Sequence, residues 1–139
     1  LNNKNQVFVA RRIDNPKNFW QMPQGGVDKG EKYYEAAKRE LEEETSIKSI
    51  KFIKEIEGYI TYNLPEYLLG IIWKGKYKGQ KQKWFIMRFE GDDSEINIKT
   101  KKPEFFEWKW IEIEKITDLV VDFKKDVYSK VKNEVIKIL

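Results

Sequence analysis

The sequence predicts an α+β fold in which a mixed β-sheet is sandwiched between helices (α/β/α). Three observations carry that expectation. Strand-like segments recur through most of the chain, one strongly helical segment interrupts them early, at about 32–44, and a second, amphipathic one closes the chain at about 123–138. With 139 residues, 40% of them hydrophobic and 14% aromatic, the chain is expected to fold as one domain over 1–139 around a core that needs no disulfide. There is no repeat, low-complexity tract or Pro/Gly/Ser-rich linker to divide it.

The elements follow in order. Residues 7–12 (VFVARR) read as a short strand, followed by a polar loop through Asp14, Asn15, Pro16 and Asn18. Residues 20–29 carry Pro23, Gly25 and Gly26, a backbone for a structured loop leading into a helix. From 32 to 44 there is no Gly or Pro, and Ala36, Ala37, Leu41 and the glutamates favour helix. Strands are predicted at 50–62, 68–74, 84–89 and 106–113. In the last, Phe106, Trp108, Trp110 and Ile113 alternate with Glu107, Lys109 and Glu112. The closing helix sets Val127, Val131 and Val135 four apart beside Tyr128 and Ile138, a stripe that packs on the sheet.

Composition narrows the chemistry. The chain has no cysteine and no histidine, which excludes disulfide-linked partners, thiol nucleophiles, imidazole bases and N- or S-ligated metals. Any metal must be held by oxygen, which points to a hard cation such as Mg²⁺, with Mn²⁺ next. The net charge of +4 suits an anionic partner. No apolar run of membrane-spanning length and no signal-peptide layout is present, so a cytoplasmic location with no membrane association is the default expectation.

The unusual segment is GGVDKGEKYYEAAKRELEEETSI at 25–47, with six glutamates in the fourteen positions from Glu31 to Glu44. At 100° per residue Glu40, Glu43 and Glu44 fall within about a 100° arc of one helix face. Like charges at this spacing cost a few tenths of a kcal/mol per pair, and a helix C-terminus disfavours them further. A divalent cation would reverse both penalties. A solvated acidic face is the competing explanation on spacing alone.

The same residues resemble the Nudix box: a glycine, five residues, Glu, seven residues, then Arg-Glu-aliphatic-any-Glu-Glu-any-Gly-aliphatic. Gly25, Glu31, Arg39, Glu40, Leu41, Glu43, Glu44 and Ile47 fill its positions in order, and Ser46 stands where the pattern has its late glycine. The resemblance implies that Glu40, Glu43 and Glu44 are metal carboxylates, with Gly25 also at the metal site. Arg39 would hold the carboxylates in place and Glu31 would support the loop-to-helix junction. It implies metal-assisted hydrolysis of a phosphoric anhydride, with the proton accepted by Glu43, Glu44 or a metal hydroxide.

Further segments, WQMPQGG at 20–26, GQKQKWF at 79–85, PEF at 103–105 and VVDFKKDVY at 120–128, resemble bacterial RNA pyrophosphohydrolases and the related diadenosine tetraphosphate hydrolases. By that resemblance Glu104 is a further metal contact, Arg12 and Phe123 sandwich the first base, and Val121 lies beside the next nucleotide. Lys124, Gln80 and Lys83 would be phosphate contacts. Without the family, Phe123 is a core residue, Arg12 a solvated charge and Glu104 a loop residue. Trp20 and Trp84 are assigned to packing. The family also begins with an Arg-Pro-like segment and a strand, so a chain opening at Leu1-Asn2-Asn3 is expected to lack a short N-terminal segment.

The leading expectation is therefore an Mg²⁺-dependent enzyme converting the 5′-triphosphate or diphosphate end of RNA to a monophosphate. A second is hydrolysis of diadenosine tetra- or pentaphosphate with release of ATP. A third is a catalytically silent module that binds RNA or nucleotides, against which the retained, mutually repelling glutamates argue.

Overall fold

The computed structural model describes residues 1–14, 19–69 and 79–139. Six strands fall there: β1 (Gln6–Arg12), β2 (Ile50–Glu55), β3 (Ile60–Asn63), β4 (Gly79–Gln82), β5 (Phe85–Phe89) and β6 (Phe105–Glu112). The helices are α1 (Tyr33–Thr45), a one-turn α2 (Ile116–Leu119) and α3 (Lys125–Ile138). Among the described residues β1 pairs with β6, β2 with β5 and β3 with β4, each antiparallel.

The period-two alternation of β1 divides the interior. Val7 and Val9 pack with Trp20, Met22, Ile111 and the α3 stripe Val127, Tyr128, Val131 and Val135. Phe8 and Ala10 pack on the opposite face with Ile47, Phe89, Ile96 and Phe105, and Leu41 of α1 leans on that cluster. The β1–β6 pair thus lies between α3 on one side and α1 on the other, the layering expected of the α+β sandwich. Trp20 and Trp84 both sit in or against the first cluster, as packing residues. Among the described residues no helix is long and apolar enough to cross a membrane.

Three expectations change. The strand predicted over 50–62 is two strands, because the chain turns at Gly58, whose φ of +73° suits glycine. The predicted 106–113 strand runs Phe105–Glu112, and Phe105 rather than Phe106 shares the buried side of Trp108 and Trp110. A bulge causes this: Arg11 pairs with Glu107 and Arg12 with Phe105, so the extra residue reverses the parity of the pleat and turns Phe106 outward. Phe123 does not open the last helix but lies in a 3₁₀ turn, Asp122–Lys124, before it. Of the strand predicted at 68–74 and the loop through Asn15, Pro16 and Asn18, residues 15–18 and 70–74 lie outside the described residues, and Glu66–Leu68 form a 3₁₀ turn.

Helix α1 ends as the glycine pattern would end it, with serine in the glycine's place. Ser46 takes the left-handed conformation at φ +66°, its N–H donating to the carbonyl of Glu42. Its hydroxyl donates to the carbonyl of Asn97 at 2.8 Å, which offsets the roughly 1 kcal/mol that a side chain costs in this conformation.

Candidate active site

Arg39 organises the acidic segment. Its Nε donates to Glu31 Oε2 at 2.8 Å and its Nη2 to Glu31 Oε1 at 2.9 Å, a bidentate pair. Nη2 also donates to the carbonyl of Gly26, and Nη1 to Glu40 (2.9 Å) and Glu43 (3.2 Å). One guanidinium therefore ties the 25–31 loop to two glutamates on α1, and its hydrogen bonds, with that from the Asp28 N–H, hold the Glu31 carboxyl down at about 2. Glu31 in turn accepts the N–H of Asp28, fixing the turn into the helix.

Gly25 is where that loop meets the helix. A Cβ there would lie 2.2 Å from both Cγ and Cδ of Glu40, so this close approach admits only glycine while Glu40 keeps its place. The loop itself is anchored from behind: the Met22 N–H donates to the buried Tyr128 hydroxyl at 2.7 Å, and Gln21 exchanges both backbone hydrogen bonds with Ala10.

Glu44 differs from its neighbours. It is 7% exposed, and its Oε2 is buried with no hydrogen-bond partner. Burial first, then the charges of Glu40 and Glu104, push its carboxyl up to about 8, against the opposing pull of Arg12. Burial also raises Glu40. Glu43 is more open, its side chain 57% exposed. Among the described residues no three acidic side chains converge into a ready metal cage. Arg39 draws Glu40 and Glu43 aside, and Glu44 points inward alone.

The remaining expected residues surround this core unequally. Arg12 Nη2 reaches Glu104 Oε2 at 3.1 Å, which brings the PEF glutamate to the α1 carboxylates. Arg12 is also clamped bidentately by Asp14, and among the described residues it lies over no aromatic ring. Phe123 is half-buried with its ring 5.7 Å from that of Tyr62, and Val121 packs at the edge of the core. Lys124 donates to Gln24 Oε1 at 3.2 Å, and burial, helped by Arg12, lowers its ammonium to about 8. Gln80 accepts from Gln24, Gln82 and the Tyr62 hydroxyl. Lys83 also lines the cleft, and its ammonium donates to the carbonyls of Ile56 and Gly58 at 2.7 and 2.8 Å, tying down the β2–β3 turn.

Four residues not singled out from the sequence join the site: Asp14 on Arg12, and Gln24, Gln82 and Tyr62 around Gln80. Gln24 lies inside WQMPQGG and Gln82 inside GQKQKWF, so the signal was two polar motifs that the fold sets face to face. Gly25, Glu40, Glu44, Glu104, Arg12 and Gln80 line one cleft of about 860 Å³.

The sequence matches the NUDIX domain family over residues 1–131. A protein of Pelagibacter ubique (strain HTCC1062) named RNA pyrophosphohydrolase is 72% identical over 139 residues, covering 100% of this chain and 88% of that protein. One of the same name from Afipia carboxidovorans is 48% identical, covering 96% and 86%. Among solved structures, the E. coli dihydroneopterin triphosphate pyrophosphohydrolase superposes with a TM-score of 0.71 at 21% identity, covering 95% of this chain and 88% of that one. The binary complex of a C. elegans Ap4A hydrolase gives 0.64 at 19% identity, with the same coverage. These structures show a shared fold.

Proposed function

This chain belongs to the Nudix family, and on that footing we propose that it is an RNA 5′-pyrophosphohydrolase, converting a 5′-triphosphate or diphosphate end to a monophosphate with Mg²⁺, or Mn²⁺ in its place. The observation that carries the reading is Glu44. A buried carboxylate with an unpartnered oxygen, raised by burial and then by two neighbouring carboxylates, is a site that a hard cation relieves. The all-oxygen donor set fits Mg²⁺, and we assign Glu40, Glu43, Glu44 and Glu104 to it, with Gly25 leaving the room. When bound, the cation offsets charge on the phosphate oxygens and on the departing pyrophosphate.

The chain's own residues do the rest. Arg39 and Glu31 position Glu40 and Glu43 against the loop. Water attacks phosphorus, the anhydride P–O bond breaks, and pyrophosphate or phosphate leaves. The water's proton passes to a carboxylate oxygen of Glu44 or Glu43, since no histidine exists to take it. Lys124 and Gln80 contact the phosphates, and Arg12, Phe123 and Val121 receive the first bases, with Tyr62 backing Phe123. Arg12 must share its guanidinium between Asp14 and the base.

The test is product analysis on 5′-triphosphorylated RNA with Mg²⁺, using Glu44→Gln as control. The expected result is a 5′-monophosphate RNA formed by the wild type and nearly none by the variant. Full activity in the variant refutes the metal assignment, and an RNA left intact by the wild type refutes the substrate.

A further inference from the structure

Trp84 packs against the first core cluster, its ring edge to face on the fully buried Tyr128, 6.0 Å between centroids at 85°. The core therefore fixes where its indole N–H points, and that N–H donates to Gln82 Oε1 at 2.9 Å. An indole nitrogen only donates, so Gln82 must turn its oxygen to Trp84 and its amide nitrogen the other way. Gln80 and Gln82 are two apart on β4, on one face of the strand, and Gln80 stands opposite Tyr62 of β3.

The direction set at Trp84 passes on. Gln82 Nε2 donates to Gln80 Oε1 at 3.0 Å and to Gln24 Oε1 at 3.4 Å. Gln24 Oε1 also accepts from the Lys124 ammonium, a second group that only donates, and Gln24 turns its own Nε2 to Gln80 Oε1 at 3.3 Å. The Tyr62 hydroxyl reaches the same oxygen at 3.0 Å. Three donors thus converge on Gln80 Oε1, whereas Gln80 Nε2 makes no hydrogen bond among the described residues. Rotating any one of these amides by 180° would set donor against donor, so the two donor-only ends give the whole chain one polarity. Gln80, Gln82 and Gln24 line the same cleft as Glu40, Glu44 and Glu104.

We propose that Gln82, held by Trp84, is a positioning residue that keeps Gln80 Oε1 turned away from the substrate, so that the two N–H donors of Gln80 Nε2 are presented to the 5′-phosphates. The inference rests on the reading that Gln80 meets the polyphosphate. A glutamine free to rotate offers an anion its oxygen as readily as its nitrogen, and the oxygen repels it. One whose oxygen is engaged from three sides meets the phosphate with its donors already in place. Both N–H groups of Gln82 are engaged by Gln80 and Gln24, so Gln82 acts through Gln80 and not on the phosphate.

The experiment is a double-mutant cycle read in kcat and KM for a 5′-triphosphorylated RNA with Mg²⁺, using Gln80→Met, Gln82→Met and the two together. Methionine keeps the length of the side chain and removes the amide. Gln80→Met and Gln82→Met each raise KM roughly tenfold, as loss of a hydrogen bond to a charged group predicts, with kcat within twofold. The double variant is no worse than Gln80→Met alone. Trp84→Phe, which keeps a ring in the core and drops the N–H, raises KM by less and adds nothing to Gln80→Met; it carries the same test if Gln82→Met does not fold. A Gln82→Met effect as large in the Gln80→Met protein as in the wild type overturns the inference, and so does an unchanged KM or a loss borne by kcat. A Gln80→Met protein with wild-type KM defeats the phosphate contact beneath it, and a wild type without RNA turnover defeats the proposed function.

Discussion

Replacing Glu44 by glutamine should make the protein more stable in the presence of a chelator, and only above about pH 6. In the folded chain the Glu44 carboxyl is pushed from 4.5 to about 8, mainly by burial. Between those values the native state holds a proton that the unfolded chain has released, so stability falls as pH rises through the window. At 1.36 kcal/mol per pH unit the full displacement corresponds to ~5 kcal/mol. Part of it comes from the charges of Glu40 and Glu104, which solvent and side-chain movement screen, and that leaves about 2–3 kcal/mol as the expected cost at pH 8.5. Glutamine resembles the protonated acid in shape and carries no charge, so Glu44→Gln should remove this slope.

The assay is urea unfolding in EDTA at steps from pH 5 to 8.5. The two proteins should agree near pH 5, and at pH 8.5 the variant should lead by about 2–3 kcal/mol, on the order of 10 °C in Tm. Millimolar Mg²⁺ should then raise the wild type and leave the variant where it was, because a ligand stabilises only a state that binds it. Parallel stability curves over the whole pH range, or a variant below the wild type at pH 8.5, would refute the reasoning: Glu44 would then be an ordinary solvated acid. A stabilised, inactive protein is what a site that retains repulsion for function should give.

Gly25→Ala forces Glu40 from its place and should cut kcat at least tenfold with little change in urea midpoint; an active variant would show that Glu40 has freedom the close contact denies it. Tyr128→Phe leaves the Met22 N–H buried without a partner and should cost about 1–3 kcal/mol in urea unfolding, with a loss of activity as the 20–26 loop loosens. Ser46→Ala should destabilise by about 1 kcal/mol, because it keeps the left-handed strain and drops the bond to Asn97, whereas Ser46→Gly should be near neutral by the same measurement.

What was legible in the sequence was whatever a single period or spacing could carry. Val127, Val131 and Val135 named the buried face of α3, and the spacing of Glu40, Glu43 and Glu44 named one side of α1. Spacing could not show that the three glutamates are unequal, since that depends on what lies above them. Glu44 is covered and faces Glu104 from the far end of the chain, while Glu43 stands open beside Arg39. Phe106 was misread for a related reason: alternation assumes an unbroken pleat, and one bulged residue at the Arg11/Arg12 step reverses it.

Lys83 shows the limit from the other side. As a lysine in a basic motif it has the composition of a phosphate ligand, but a turn at Gly58 leaves two carbonyls facing it, and the ammonium satisfies them. Lys81, two residues earlier, sits with its ammonium 4.1 Å from the Tyr59 ring centroid, and Lys83 lies 5.4 Å from the same ring. The motif supplies the cations, and the carbonyls that the turn leaves within reach decide what the Lys83 ammonium bonds.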